Sequence, residues 1–219
     1  EFADILEKSS NFKEDLIKII KETIKKHKRI IFNGNGYDEA WVQEAEKRGL
    51  SNLKTTPDAL PAFVSEKSIN LFTKHRVFSR QEVCSRYEIL LENYSKTINI
   101  EALTMLDMVK KYVIPAVICY EKELAELLSS KKVLGKAVST VLEEHLLDKL
   151  STLAESLFTR LEKLEKQVLS VRSIKGKLEH ARASHDLVLA AMNELRETVD
   201  ELETIVSKKH WTLPTYAEI

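Results

Sequence analysis

The feature that most constrains this chain is a run of apolar residues at steps of three and four between Val83 and Tyr120. Val83, Tyr87, Leu90, Leu91, Tyr94, Ile98, Ala102, Met105, Leu106, Val109, Val113, Ala116, Val117 and Tyr120 form one stripe if the segment is helical. That stripe lasts about ten turns and predicts a single long helix over residues 79–120 with one inward face. Its start is marked by Ser79 and Glu82, an S-x-x-E capping box, with Phe78 and Val83 placed as the hydrophobic staple. Pro115 lacks an N–H and crowds the preceding turn, so a kink is expected over 111–115, not a stop.

Other segments repeat the helical period. Residues 2–6 read as the end of a helix, and 11–28 as a second one carrying Phe12, Leu16, Ile19, Ile20, Thr23 and Ile24 on one side. Lys18, Lys21, Lys25, Lys26 and Lys28 make its other side basic, which suits the negative end of the helix dipole and reads as a solvated face. Residues 38–48 form a short helix with Gly49 at its C′ position. Thr56-Pro57 resembles a cap followed by proline in the first turn, and 65–74 gives another short helix.

Ser129-Ser130 is expected to mark a turn, with a long helix following over 133–169. Within it, Leu150, Leu153, Leu157, Leu161, Leu164 and Val168 average 3.6 residues per step. A coiled-coil rod needs about 3.5, so the spacing favours a globular bundle seam. Gly176 predicts a break near 173–177, and the last helix runs over about 178–206. The tail from Trp211 to Tyr216 is extended and aromatic and needs a surface to dock on. The fold class is therefore all-α: a long-helix up-and-down bundle with a kinked central helix, preceded by short helices and an irregular connector. The expected parts are residues 1–32, a terminal helical segment; 33–78, a packed connector; and 79–219, the bundle with its tail.

Composition narrows function mainly by exclusion. Thirty-four basic and thirty-four acidic residues cancel, leaving no global field to hold nucleic acid or an anionic membrane. Apolar runs fall short of a membrane span, and no signal-peptide pattern is present. Cys84 and Cys119 stand 35 positions apart on the same expected helix. That is roughly 50 Å along its axis, against the roughly 7 Å between Cα atoms that a disulfide tolerates. Two reduced cysteines suit a cytoplasmic protein.

No chemical motif emerges. Asn33-Gly34-Asn35-Gly36 is turn chemistry, and Asp38 and Glu39 just after it would repel a phosphate. His27, His75, His145, His180, His185 and His210 contain no H-E-x-x-H pair and no Glu-x-x-His. Glu88, Glu92, Glu101 and Asp107 read as ion-pair partners along the long helix. Asn93, Tyr94, Thr97 and Asn99 are unusual there; either a polar contact to a neighbouring domain or a local distortion would account for them. Arg182, His185, Asp186, Arg196 and Asp200 are candidates for an ion network. No catalytic, cofactor-binding or metal-binding residue is assigned.

Five stretches nonetheless carry a family resemblance: RIIFNGNGY, NLKTTPDALPAF, SRYEILLENYSKTINIEALTMLDMVKK, HARASHDLVLAAMNELRETVDELE and WTLPTYAEI. Together they resemble the C-terminal region of type III glutamine synthetases, in the family's order along the whole chain. The resemblance implies a parent enzyme that makes glutamine from glutamate and ammonia with ATP, assisted by magnesium or manganese. It also implies an upstream catalytic domain as partner and homo-oligomeric assembly. The family's metal-binding carboxylates and substrate-binding arginines lie in motifs upstream of the matching region, so none maps onto these residues. The chain is thus expected to be catalytically silent alone, with a structural or assembly role. Its start at Glu1-Phe2 fits a fragment or excised domain, and equally a processed terminus or cloning residues. The alternative from another class is a freestanding helical-bundle interaction module.

Overall fold

A computed structural model describes residues 2–135 and 138–215. Among them every regular element is a helix. The chain divides into two compact units, Glu1–Lys54 and Thr55–Ile219, so the division falls inside the 33–78 segment.

The first unit holds α1 (Phe2–Leu6), α2 (Phe12–His27) and α3 (Glu39–Lys47). Local chemistry sets their ends. The Asn11 side chain accepts from Glu14 N–H to cap α2, and Asp38 accepts from Ala40 N–H to cap α3. Gly49, at φ 69°, takes the left-handed conformation that terminates α3. Arg48 donates to the Ile31 carbonyl at 2.9 Å and pairs with Glu44 at 2.7 Å, while Phe32 stacks on Trp41 at 4.3 Å. No described residue of this unit is buried. The apolar side of α2 leaves Phe12, Ile17, Ile20 and Ile24 exposed.

The second unit opens with α4 (Thr56–Phe63) and α5 (Glu66–Lys74). The cap of α4 is Thr55, one residue before the expected Thr56, because it is Thr55 Oγ1 that accepts from Asp58 N–H. Phe72 meets Phe63 and Phe78 at 5.4 and 5.6 Å between ring centres. Arg80 clamps Glu66 through two donors at 2.9 and 2.6 Å.

The long helix runs as α6 (Arg80–Met108), a π-helical turn (Val109–Val113) and α7 (Ile114–Val133). The capping box at Ser79 and Glu82 is complete in both directions. The π turn sits where the proline predicted a disturbance. Ile114 N–H bonds Val109 O, one residue further back than in an α-helix. The wider turn gives the Pro115 ring room, and the helix continues. It also continues past the expected end near 120 and through Ser129-Ser130, where a turn was expected. Ser130 Oγ donates to the Glu126 carbonyl, so its hydroxyl is satisfied within the helix. The stop is instead Gly135, at φ 73°.

Next come α8 (Val141–Val171), α9 (Lys177–Ala183), a second π turn (Ser184–Leu189) and α10 (Ala190–Ile205). The break at Gly176 is where the sequence placed it. α8 packs along α7, and α10 packs along α8, which makes the up-and-down bundle. Leu106, Val109, Val117, Leu150, Leu157, Leu164, Leu195 and Leu202 are among its buried core. The predicted stripe holds with one clear departure: Leu90 is 45% exposed, whereas Leu91 beside it is buried. Between α7 and α8, Lys131 pairs with the buried Glu143 at 2.7 Å.

The tail finds its surface on α7. Trp211 is buried, and Leu213 packs against the core. His210 lies 2.6 Å from Glu123 and 6.1 Å from the Tyr120 ring. Tyr216 lies outside the described residues.

Candidate functional site

Of the four carboxylates singled out on the long helix, Glu88, Glu92 and Asp107 are engaged in ion pairs, while Glu101 is exposed and has none among the described residues. Glu88 accepts from Lys177 at 2.7 Å, Glu92 pairs with Lys96 at 2.6 Å, and Asp107 pairs with Lys111 at 2.6 Å. The Lys96 hydrogen bond and charge hold the Glu92 carboxyl below its ordinary range, and Glu88 raises the Lys177 ammonium. The ion network expected from Arg182 to Asp200 separates into surface sets. Arg182 approaches Asp58 at 3.9 Å, His185 contacts Asp186 at 2.8 Å, and Arg196 meets Asp200 at 3.4 Å. Each of these side chains is at least 34% exposed.

Asn93 and Thr97 face solvent on a regular stretch of α6, so a local distortion does not explain them. Tyr94 is half-buried against the core, and burial pushes its phenol up. The Asn33–Gly36 stretch is a turn in which Asn35 Oδ1 accepts from Tyr37 N–H at 3.1 Å. Cys84 and Cys119 are free thiols. Among the described residues, no group of three or more His, Cys, Asp or Glu stands together as a metal site, and no helix is long and apolar enough to cross a membrane.

Two concavities of the second unit border its core. An apolar groove of about 690 Å³ lies beside the tail, walled by Met105, Met108, Met192, Trp211, Leu213 and Pro214. The Trp211 indole N–H is buried with no hydrogen-bond partner among the described residues. A second cavity of about 500 Å³ opens where α6 passes the turn between α8 and α9. Lys96, Arg172, Lys175 and Lys177 rim it, Glu92 is the single carboxylate, and the half-buried Asn99 and His180 also line it.

The sequence singles out Asn99, His180 and the helix break at Gly176 without joining them. The signal that could have done so is the basic triplet Arg172, Lys175 and Lys177 straddling that glycine. Lys96 is 76 positions before Arg172 in the chain, so only folding brings it to the same rim.

Comparison with known proteins agrees along nearly the whole chain. It is 43% identical over 94% of its length to a glutamine synthetase of Butyrivibrio fibrisolvens. It is 39% identical over 92% to a type-3 glutamine synthetase of Dictyostelium discoideum, and 26% identical over 98% to a glutamine synthetase of Bacteroides fragilis (strain YCH46). The matches span 30%, 28% and 30% of those proteins, so the chain covers under a third of each. The family defined by the glutamine synthetase C-terminal domain matches residues 15–132, more than half of the chain. With that match, this chain belongs to the glutamine synthetase C-terminal domain family.

Proposed function

We propose that these residues form the C-terminal helical region of a cytoplasmic, homo-oligomeric, ATP-dependent glutamate–ammonia ligase, with a packing and assembly role and no active site of their own. The observation that carries this reading is the uncovered apolar side of α2 in a unit where no described residue is buried. An amphipathic helix gains stability chiefly by burying that side. The larger size of the named relatives supplies a covering surface: an upstream catalytic domain against which residues 1–32 would lie. Residues 33–78 would then serve as the connector and 79–219 as the bundle. The described residues do not fit a divalent-cation site, so magnesium or manganese and ATP would be held by the upstream domain.

The test is glutamine formation from glutamate, ammonium and MgATP. The purified 219-residue chain is expected to form none, and an enzyme joining the upstream domain to these residues is expected to turn over. Turnover by the chain alone would overturn the reading. In the same complete enzyme, removing residues 211–219 is expected to lower thermal stability or native mass, because Trp211 and Leu213 pack on the core. No change in either would sink the role of the docked tail.

A further inference from the structure

The cavity between α6 and the α8–α9 turn has a charge balance unlike the chain as a whole. The protein carries equal numbers of acidic and basic residues, yet this rim holds four Lys or Arg and one carboxylate. Two of the four cations are already matched, Lys96 by Glu92 and Lys177 by Glu88. Arg172 and Lys175 have no carboxylate partner among the described residues. Like charges gathered at a concave surface repel one another and raise the local affinity for an anion. Two uncompensated cations call for a ligand with two negative charges.

The rest of the cavity sets the ligand's other end. Ile98, Val168, Val171 and Val188 supply an apolar floor. Asn99, half-buried beside them, offers a carboxamide with no side-chain partner among the described residues. Ser95 and Ser184 donate to carbonyls of their own helices at 3.0 and 2.8 Å, leaving oxygen lone pairs to accept. A volume of about 500 Å³ falls within the range of small-molecule sites. An arginine fork and a lysine at the mouth suit phosphate and carboxylate alike.

We infer that this cavity is a binding site for a small organic dianion, its charged head held by Arg172 and Lys175 and its less polar body seated on the Ile98–Val188 floor. Equilibrium dialysis of the 219-residue chain tests it, away from any nucleotide site of a larger enzyme. The probes are adenosine monophosphate for the phosphate head, phthalate for the carboxylate head, and adenosine as the uncharged control. Saturable one-site binding of either anion at millimolar concentration is expected, weakening with added salt. Arg172→Gln and Lys175→Gln should each weaken it about tenfold, the loss expected for one charge-assisted hydrogen bond. Both residues are exposed, so circular dichroism should show an unchanged fold, and Lys13→Gln in the other unit should leave binding intact. Which anion binds identifies the head group. Absence of saturable binding by both anions, equal binding of adenosine, or insensitivity to the two substitutions would overturn the inference.

Discussion

The two units use the same helix chemistry and end in different states. In the first, Asn11 and Asp38 cap their helices and Gly49 closes one, yet no described residue is buried. In the second, Thr55, Ser65 and Ser79 cap in the same manner, and the helices enclose a continuous core from Ile98 to Trp211. Capping and period are enough to write a helix. Holding it in place takes a second apolar surface, which the described residues of the first unit lack and the facing helices of the bundle supply. The amphipathic stripe of α2 and that of α8 look alike in sequence; the first is at most half-buried, at Leu16 and Ile19, whereas the second is fully buried at Leu150, Leu157 and Leu164.

Core truncation should separate the units most sharply. Leu157→Ala in the bundle is expected to cost about 2–5 kcal/mol in urea unfolding followed by circular dichroism. Ile20→Ala on α2 should stay within about 0.5 kcal/mol in the same assay, as exposed substitutions do. Equal effects would break the comparison. In a complete enzyme with a docked α2, Ile20→Asp should instead reduce thermal stability, and that contrast would sharpen it.

The helix cap comes next in size. Ser79→Ala removes the oxygen that accepts from Glu82 N–H and should cost the bundle about 1 kcal/mol, with an unfolding midpoint shifted at unchanged slope. A smaller cost follows from a side chain forced into left-handed backbone, about 1 kcal/mol or less net of unfolded-state effects. Gly135→Ala and Gly49→Ala impose it in the two units at φ 73° and 69°. The first is expected to lower the global midpoint. The second should appear as faster amide exchange confined to α3, because no buried core couples that helix to global unfolding.

The gentlest probe is pH. Hydrogen bonds from Arg80, Ser79 and Lys96 hold Glu66, Glu82 and Glu92 below the ordinary 4.5, and His210 and Lys131 do so for Glu123 and Glu143. Each favours its ionised form in the fold. Their contribution to stability is therefore present above 4.5 and lost as pH falls through the depressed values. Glu121, pushed up by burial, acts with the opposite sign. The unfolding midpoint of the bundle should fall on acidification, and Glu82→Gln should flatten the slope.

Much of this architecture was legible because its signals are local. The capping box at Ser79, the break at Gly176 and the seam through Leu150, Leu157 and Leu164 each depend on residues a few positions apart. The misplacements were local competitions as well. Ser129-Ser130 has turn chemistry, but Ser130 satisfied its hydroxyl inside the helix, and Gly135 ended it. At the first cap of the second unit, neighbouring threonines competed and Thr55 prevailed.

The sequence by itself determined that the chain is helical, where most helices begin and end, and which residues share a helix face. Helical period and end-group hydrogen bonding are settled within a turn or two of backbone. Only the tertiary structure decided what each face meets: that Leu91 is buried and Leu90 exposed, that the tail rests beside Tyr120 and Glu123, and that Lys96 stands on one rim with Arg172 and Lys175. Burial and charge juxtaposition depend on groups far apart in the chain, and folding alone sets those distances.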